Sequence, residues 1–130
     1  MKRISFLSLT MLFLVSAVTY AGQEDGVKIA VASDNKNATS HVGTIAGRSH
    51  YYLIFNSTGK LAEVIENPYK DVRGGAGPST ANFLADKGVT IVIAETFGGK
   101  MINTTKSRGM TYFEFKGIAT DAVQKVLPPK

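Results

Sequence analysis

Gly88-Val89-Thr90-Ile91-Val92-Ile93-Ala94-Glu95-Thr96-Phe97-Gly98-Gly99-Lys100 is the stretch on which the fold turns. Val89 to Ala94 is a near-continuous apolar run, the pattern of a strand covered on both faces. Gly88 before it suits the left-handed residue that closes a helix. Thr96-Phe97-Gly98-Gly99 after it opens a second helix, carried by Met101, Ile102 and Thr105 and ended at Gly109. A buried strand between two helices calls for parallel strands with helices packed on the sheet. Upstream, Pro78 fits the first turn of a helix, where its missing N–H has no intrahelical partner to lose. Ala81, Leu84 and Ala85 give that helix its apolar face. Downstream, residues 110–115 read as a strand, and Thr120 caps a last helix carrying Val123, Val126 and Leu127.

The first half has a different rhythm. Residues 27–32 are a β-rich run with Ile29 and Val31 on one face. Residues 35–50 show no period and form a long loop, beyond the roughly 12–15 residues at which structureless loops become uncommon unless functional or disordered. Residues 51–55 and 61–67 are two strands joined by the turn Asn56-Ser57-Thr58-Gly59, hence an antiparallel hairpin, stopped by Pro68. The order is βββαβαβα. It defines a single α/β domain around a five-stranded mixed sheet, with the hairpin at one edge. A chain of 130 residues holds one such core and no second.

The N-terminus reads differently again. Lys2 and Arg3 precede an apolar run over residues 4–15, and Thr19-Tyr20-Ala21 places small residues at −3 and −1. This is the layout of a secretory signal peptide cleaved after Ala21, and it makes the protein exported, periplasmic or secreted. The alternative is a retained anchor, which needs about 20 consecutive apolar residues. The chain then divides into the signal peptide (1–21), a loose tail (22–26) and the domain (27–127). Losing Lys2 and Arg3 lowers the formal net charge from +5 to +3. The remaining lysines, among them Lys60, Lys87, Lys106 and Lys125, are spread along the chain. Nucleic-acid binding needs a clustered basic face, so no nucleic-acid partner and no stable membrane insertion are expected. Without cysteine there is no disulfide, thiolate zinc site or cysteine nucleophile.

The chemistry-bearing residues are few. Gly74-Gly75-Ala76-Gly77 precedes a helix, where converging backbone N–H groups and the helix dipole receive an anion. No Gly-Lys-Ser/Thr closes a Walker loop, and Thr80 stands where a dinucleotide fingerprint has its third glycine. The other reading is a flexible connection whose glycines only permit tight turning. Ligands in open α/β sheets bind beyond the carboxyl ends of the strands. Asp34, the Gly75-Ala76-Gly77 loop and Phe97-Gly98-Gly99-Lys100 are therefore expected at one sheet edge, with Arg48 reaching in from the long loop. Lys100 offers a cation there, or is simply a solvated lysine. His41 and His50 are candidate metal ligands, or polar surface residues. No pair of acids has catalytic spacing, so no catalytic residue is assigned.

The succession Lys28-Ile29-Ala30-Val31-Ala32-Ser33-Asp34, Gly47-Arg48-x-x-Tyr51-Tyr52, Glu66-Asn67-Pro68, Gly75-Ala76-Gly77, Leu84-Ala85-Asp86-Lys87-Gly88-Val89 and Phe97-Gly98-Gly99-Lys100 resembles the dinitrogenase iron–molybdenum cofactor biosynthesis domain family. This family includes NifX-like carriers, the C-terminal part of NifB and small stand-alone members of the orange-protein type. The resemblance implies a ribonuclease H-like fold and non-enzymatic binding of an anionic molybdenum- or iron-containing metal–sulfur cluster. One departure is Ala46, where family members have Phe ahead of Gly-Arg, which implies an aromatic lost from the pocket. The leading expectation is thus an exported carrier of a metal–sulfur cluster or metal oxyanion. The alternative is a structural or protein-interaction domain that kept the fold and lost the ligand.

Overall fold

Along strand β1 (Lys28–Ser33) the side chains alternate in size, and this alternation sets the layers. In the computed structural model, which describes residues 26–128, Ile29 and Val31 face one side of the sheet and Ala30 and Ala32 the other. The bulky face packs against a single helix, α3 (Ala119–Val126), through Ala119, Ala122 and Val123. The alanine face leaves room for two helices, α1 (Ala76–Asp86) and α2 (Gly99–Ser107), which insert Ala81, Leu84 and Met101. The expected signal peptide and all of the tail except Gly26 lie outside the described residues.

The remaining strands are β2 (Tyr51–Asn56), β3 (Leu61–Glu66), β4 (Ile91–Ala94) and β5 (Thr111–Glu114), in the spatial order β3-β2-β1-β4-β5. β2 pairs antiparallel with both β1 and β3, whereas β4 is parallel to β1 and to β5. This is the mixed α/β sheet that the pattern predicts, with the hairpin at one edge. β4 is covered on both sides: Val92 and Ala94 join the two-helix side and Ile93 the α3 side.

α1 begins at Ala76, after Gly75 at φ +73° turns the chain, and Pro78 sits in its first turn as expected. Two local expectations change. Thr120 is not the cap of α3: the cap position is Ile118, and its side chain makes no capping bond. The amides of Ala119 and Thr120 instead donate to the carbonyls of Ser40 and Ala38, so a neighbouring loop satisfies the helix start. That loop, residues 35–50, is far from structureless. It bridges Ser33 to Val42 and Ile45 to Thr96, and ends in a 3-10 turn, Ala46–Arg48.

α1 and α2 approach closely at their starts, Gly77 against Met101. A Cβ on Gly77 would stand 2.9 Å from Met101 Cβ. At their far ends Arg108 ties them, donating to Asn82 Oδ1 at 2.7 Å and Asp86 Oδ1 at 2.8 Å. Overpacking costs about 1–3 kcal/mol, against at most about 1 kcal/mol of helix propensity gained when glycine becomes alanine. Gly77→Ala is therefore expected to lower the stability read by urea unfolding. Gly74→Ala, whose Cβ meets nothing within 4 Å, should stay within about 0.5 kcal/mol of the wild type.

Candidate anion-binding cleft

The segment after β1 crosses the carboxyl ends of β1 and β4 and is stitched to both. Gly43 N–H donates to Ala32 O at 2.7 Å, Glu95 N–H to Gly43 O at 2.9 Å, and Ala46 N–H to Thr96 O at 3.1 Å. This delivers the 3-10 turn to the edge at which α1 and α2 begin. Gly47 then lies directly on the first turn of α1, where an added Cβ would come within 2.8 Å of Gly77 Cα. No side chain other than hydrogen fits between these two backbones.

A buried polar cluster holds the turn in place. The Tyr52 hydroxyl donates to Ala46 O. Asn67, fully buried on its own loop, donates from Nδ2 to Gly47 O and to Ser49 O, both at 3.1 Å, and accepts from Tyr69 N–H at 3.0 Å. The Thr80 hydroxyl of α1 lies 3.1 Å from Gly47 O and 3.2 Å from Asn67 Oδ1. Both protons of the Asn67 amide and its oxygen are thus paired, as a buried amide requires. Burial pushes the Tyr52 phenol well above the usual tyrosine range, which keeps it a donor.

The three starts enclose a cleft of about 280 Å³. Ile45, Gly47 and Arg48 line it from the turn, Gly75 to Pro78 from α1, and Gly98 to Met101 from α2. Among the described residues, the N–H groups of Ala76, Gly77, Gly99 and Lys100 donate to no other protein group. Two positive helix ends and the Lys100 side chain therefore border one space. This arrangement offers main-chain N–H donors and positive potential to the space between them.

Of the residues singled out in the sequence, Arg48, Gly75, Ala76, Gly77, Gly98, Gly99 and Lys100 meet at this cleft. Phe97 does not line it; the ring is buried edge-on against Tyr112, centroids 5.0 Å apart. Asp34 also stands away from the lining and faces His50, Oδ1 to Nδ1 at 3.3 Å on the exposed surface. His41 is bridged through its backbone to Ile118 at the start of α3. Among the described residues no three His, Cys, Asp or Glu side chains stand together as metal ligands. Ala46 is buried in the core beneath the turn and does not line the cleft. Sequence reasoning missed Tyr52, Asn67 and Thr80, which build the cleft without lining it, and Ile45, which lines it and is 54% exposed.

Fold and cleft together define a small α/β domain with a cleft at the carboxyl edge of its sheet, bordered by the starts of two helices. The chain belongs to the dinitrogenase iron-molybdenum cofactor family, whose model matches residues 27–128. In fold it is similar to the orange protein of Desulfovibrio gigas, solved in its apo form, with a TM-score of 0.73 at 22% identity over 79% of this chain and 88% of that one. A candidate NifB protein from Thermotoga, solved by NMR, is similar with a TM-score of 0.64 at 29% identity, covering 75% of this chain and 84% of that one. An uncharacterised protein of Methanocaldococcus jannaschii is 27% identical over 103 residues, 77% of this chain and 84% of that protein. No helix among the described residues is long and apolar enough to cross a membrane.

Two measurements probe the polar cluster. Asn67→Ala strands the Ser49 carbonyl and leaves Gly47 O to the Thr80 hydroxyl alone, and should cost about 1–3 kcal/mol in urea unfolding. Tyr52→Phe should cost about 1 kcal/mol near neutral pH. The difference carries a pH signature, because the folded phenol's pKa is raised above its ordinary value of 10.0. Below about pH 10 folded and unfolded states both keep the proton, so the gap between wild type and Tyr52→Phe is constant. Above it only the unfolded chain ionises, and wild-type stability falls by up to about 1.4 kcal/mol per pH unit relative to the variant.

Proposed function

We propose that this protein is an exported, non-enzymatic carrier whose cargo is an anionic metal–sulfur cluster or metal oxyanion held in the cleft between the starts of α1 and α2. One observation carries the reading. Gly98 and Gly99 have no positive φ, and an added Cβ at either would meet no protein atom within 4 Å. Neither backbone conformation nor internal packing requires glycine there. Bare main chain at the border of the cleft serves a group that approaches from outside. The outer sulfide or oxo atoms of the cargo accept the free N–H groups, and Lys100 adds charge. The described residues offer no cluster of three His, Cys, Asp or Glu side chains for a naked cation, so the metal is gripped through its own anionic shell. Family membership supports the cargo class, and the leader over residues 1–21 supports export.

A second reading, a protein-interaction domain without cargo, is favoured by Ile45, an exposed apolar side chain at the lip of the cleft. The two separate cleanly. Protein isolated from the exported fraction of its native host should begin at Gly22 and carry molybdenum or iron by elemental analysis. The metal-free protein should take up tetrathiomolybdate, alone or with copper, and gain visible absorption. Gly99→Ala and Lys100→Ala should keep wild-type stability within about 0.5 kcal/mol while weakening this uptake at least about fivefold, the first because its Cβ obstructs the approach to the main chain and the second through the loss of about 1 kcal/mol of charge interaction. Protein that stays colourless and metal-free with molybdate, copper and sulfide as well, yet retains a stoichiometric protein partner, would favour the second reading and sink the first.

A further inference from the structure

Arg48 lines the cleft, yet its guanidinium is engaged elsewhere. Both protons of Nη1 go to main-chain carbonyls of the loop that leads into α1, Lys70 O at 2.9 Å and Val72 O at 2.8 Å. Upstream that loop has further support: Tyr69 N–H donates to Asn67 Oδ1 at 3.0 Å, and the Tyr69 ring meets Phe83 edge-on at 6.1 Å. Downstream it has none. Among the described residues, no N–H from Arg73 to Gly77 donates within the protein, Pro78 has none, and the next bond is Ser79 N–H to Gly75 O at 3.1 Å, the first of the helix. The Arg48 bond to Val72 O is thus the last hydrogen-bonded anchor before the left-handed cap at Gly75. On the other flank the adjacent Gly47 bears on Ala76 and Gly77. One short turn grips both sides of the segment that presents the free amides of α1.

We infer that Arg48 is a positioning residue: through Lys70 O and Val72 O it fixes the Gly75 cap, and so aims the N–H groups of Ala76 and Gly77 into the cleft. The inference deepens, and rests on, the cargo reading above. Charge alone does not do this work. A planar fork holds two carbonyls in a set relative orientation, which the point charge of a lysine on a flexible stem does not. Arg48→Lys therefore separates a positioning role from a simple attraction for anions.

The test reads two amides in Arg48→Lys by hydrogen exchange. Ser79 N–H, bonded to Gly75 O, reports on the cap of α1. Ile102 N–H, bonded to Gly98 O at 3.0 Å, reports on the start of α2 and serves as the folding control. Ser79 exchange should accelerate about tenfold, as local opening of the cap requires, with Ile102 unchanged, and tetrathiomolybdate should bind at least about fivefold more weakly although the charge is kept. Arg48→Gln should show the same Ser79 effect. Unchanged Ser79 protection in both variants overturns the inference. So does a variant with a loosened cap that binds tetrathiomolybdate like the wild type. A wild type that takes up no tetrathiomolybdate removes the cargo reading instead, while Ser79 against Ile102 still decides whether Arg48 holds the cap.

Discussion

Three stretches of chain meet closely at two glycines. The turn at Gly47 lies on the first turn of α1 at Gly77, and Gly77 lies on Met101 at the start of α2. This contact is the constraint on which the rest of the domain depends. It brings two helix starts and a loop to within van der Waals distance, and so makes one cleft of three separate chain segments. Close backbone approach gains dispersion energy but puts carbonyls in the interior, which must be paired. The buried amide of Asn67 and the hydroxyls of Tyr52 and Thr80 provide that pairing. The polar cluster is therefore the consequence of the glycine contact, and the two form a unit.

The same contact creates an electrostatic problem. α1 and α2 bring their positive ends to one spot, and like ends side by side repel. Arg108 offsets this at the far ends of the helices, where it donates to Asn82 and Asp86, and the core offsets it along their length through Leu84 and Met101. The positive ends at the starts of α1 and α2 are left facing the cleft.

Much of this was legible from the chain. The apolar run from Val89 to Ala94 between two glycine-bounded helical stretches gave a buried parallel strand, and the turn at residues 56–59 gave the hairpin. Gly75-Ala76-Gly77 and Gly98-Gly99 stood out because glycine before a helix is cheap only where the backbone has a use for it. Asn67 left no such trace. Beside Pro68 it reads as a turn residue, and nothing local reveals that its side chain is buried among carbonyls 18 and 20 residues away. Tyr52 was equally hidden within an apolar strand. Phe97 misled in the opposite direction, since proximity in sequence to Gly98 placed it at the edge while its ring belongs to the core.

The sequence by itself determined the order of elements, because hydrophobic period and the turn preferences of glycine and proline are local properties. It also determined which backbone segments are bare enough to approach one another. Only the tertiary structure decided that Gly47, Gly77 and Met101 meet, that Arg48 turns Nη1 toward Lys70 and Val72, and that Asp34 pairs with His50 away from the cleft. These are pairings between distant segments. Their geometry follows from sheet register and helix packing, and neither is written in the neighbourhood of any one residue.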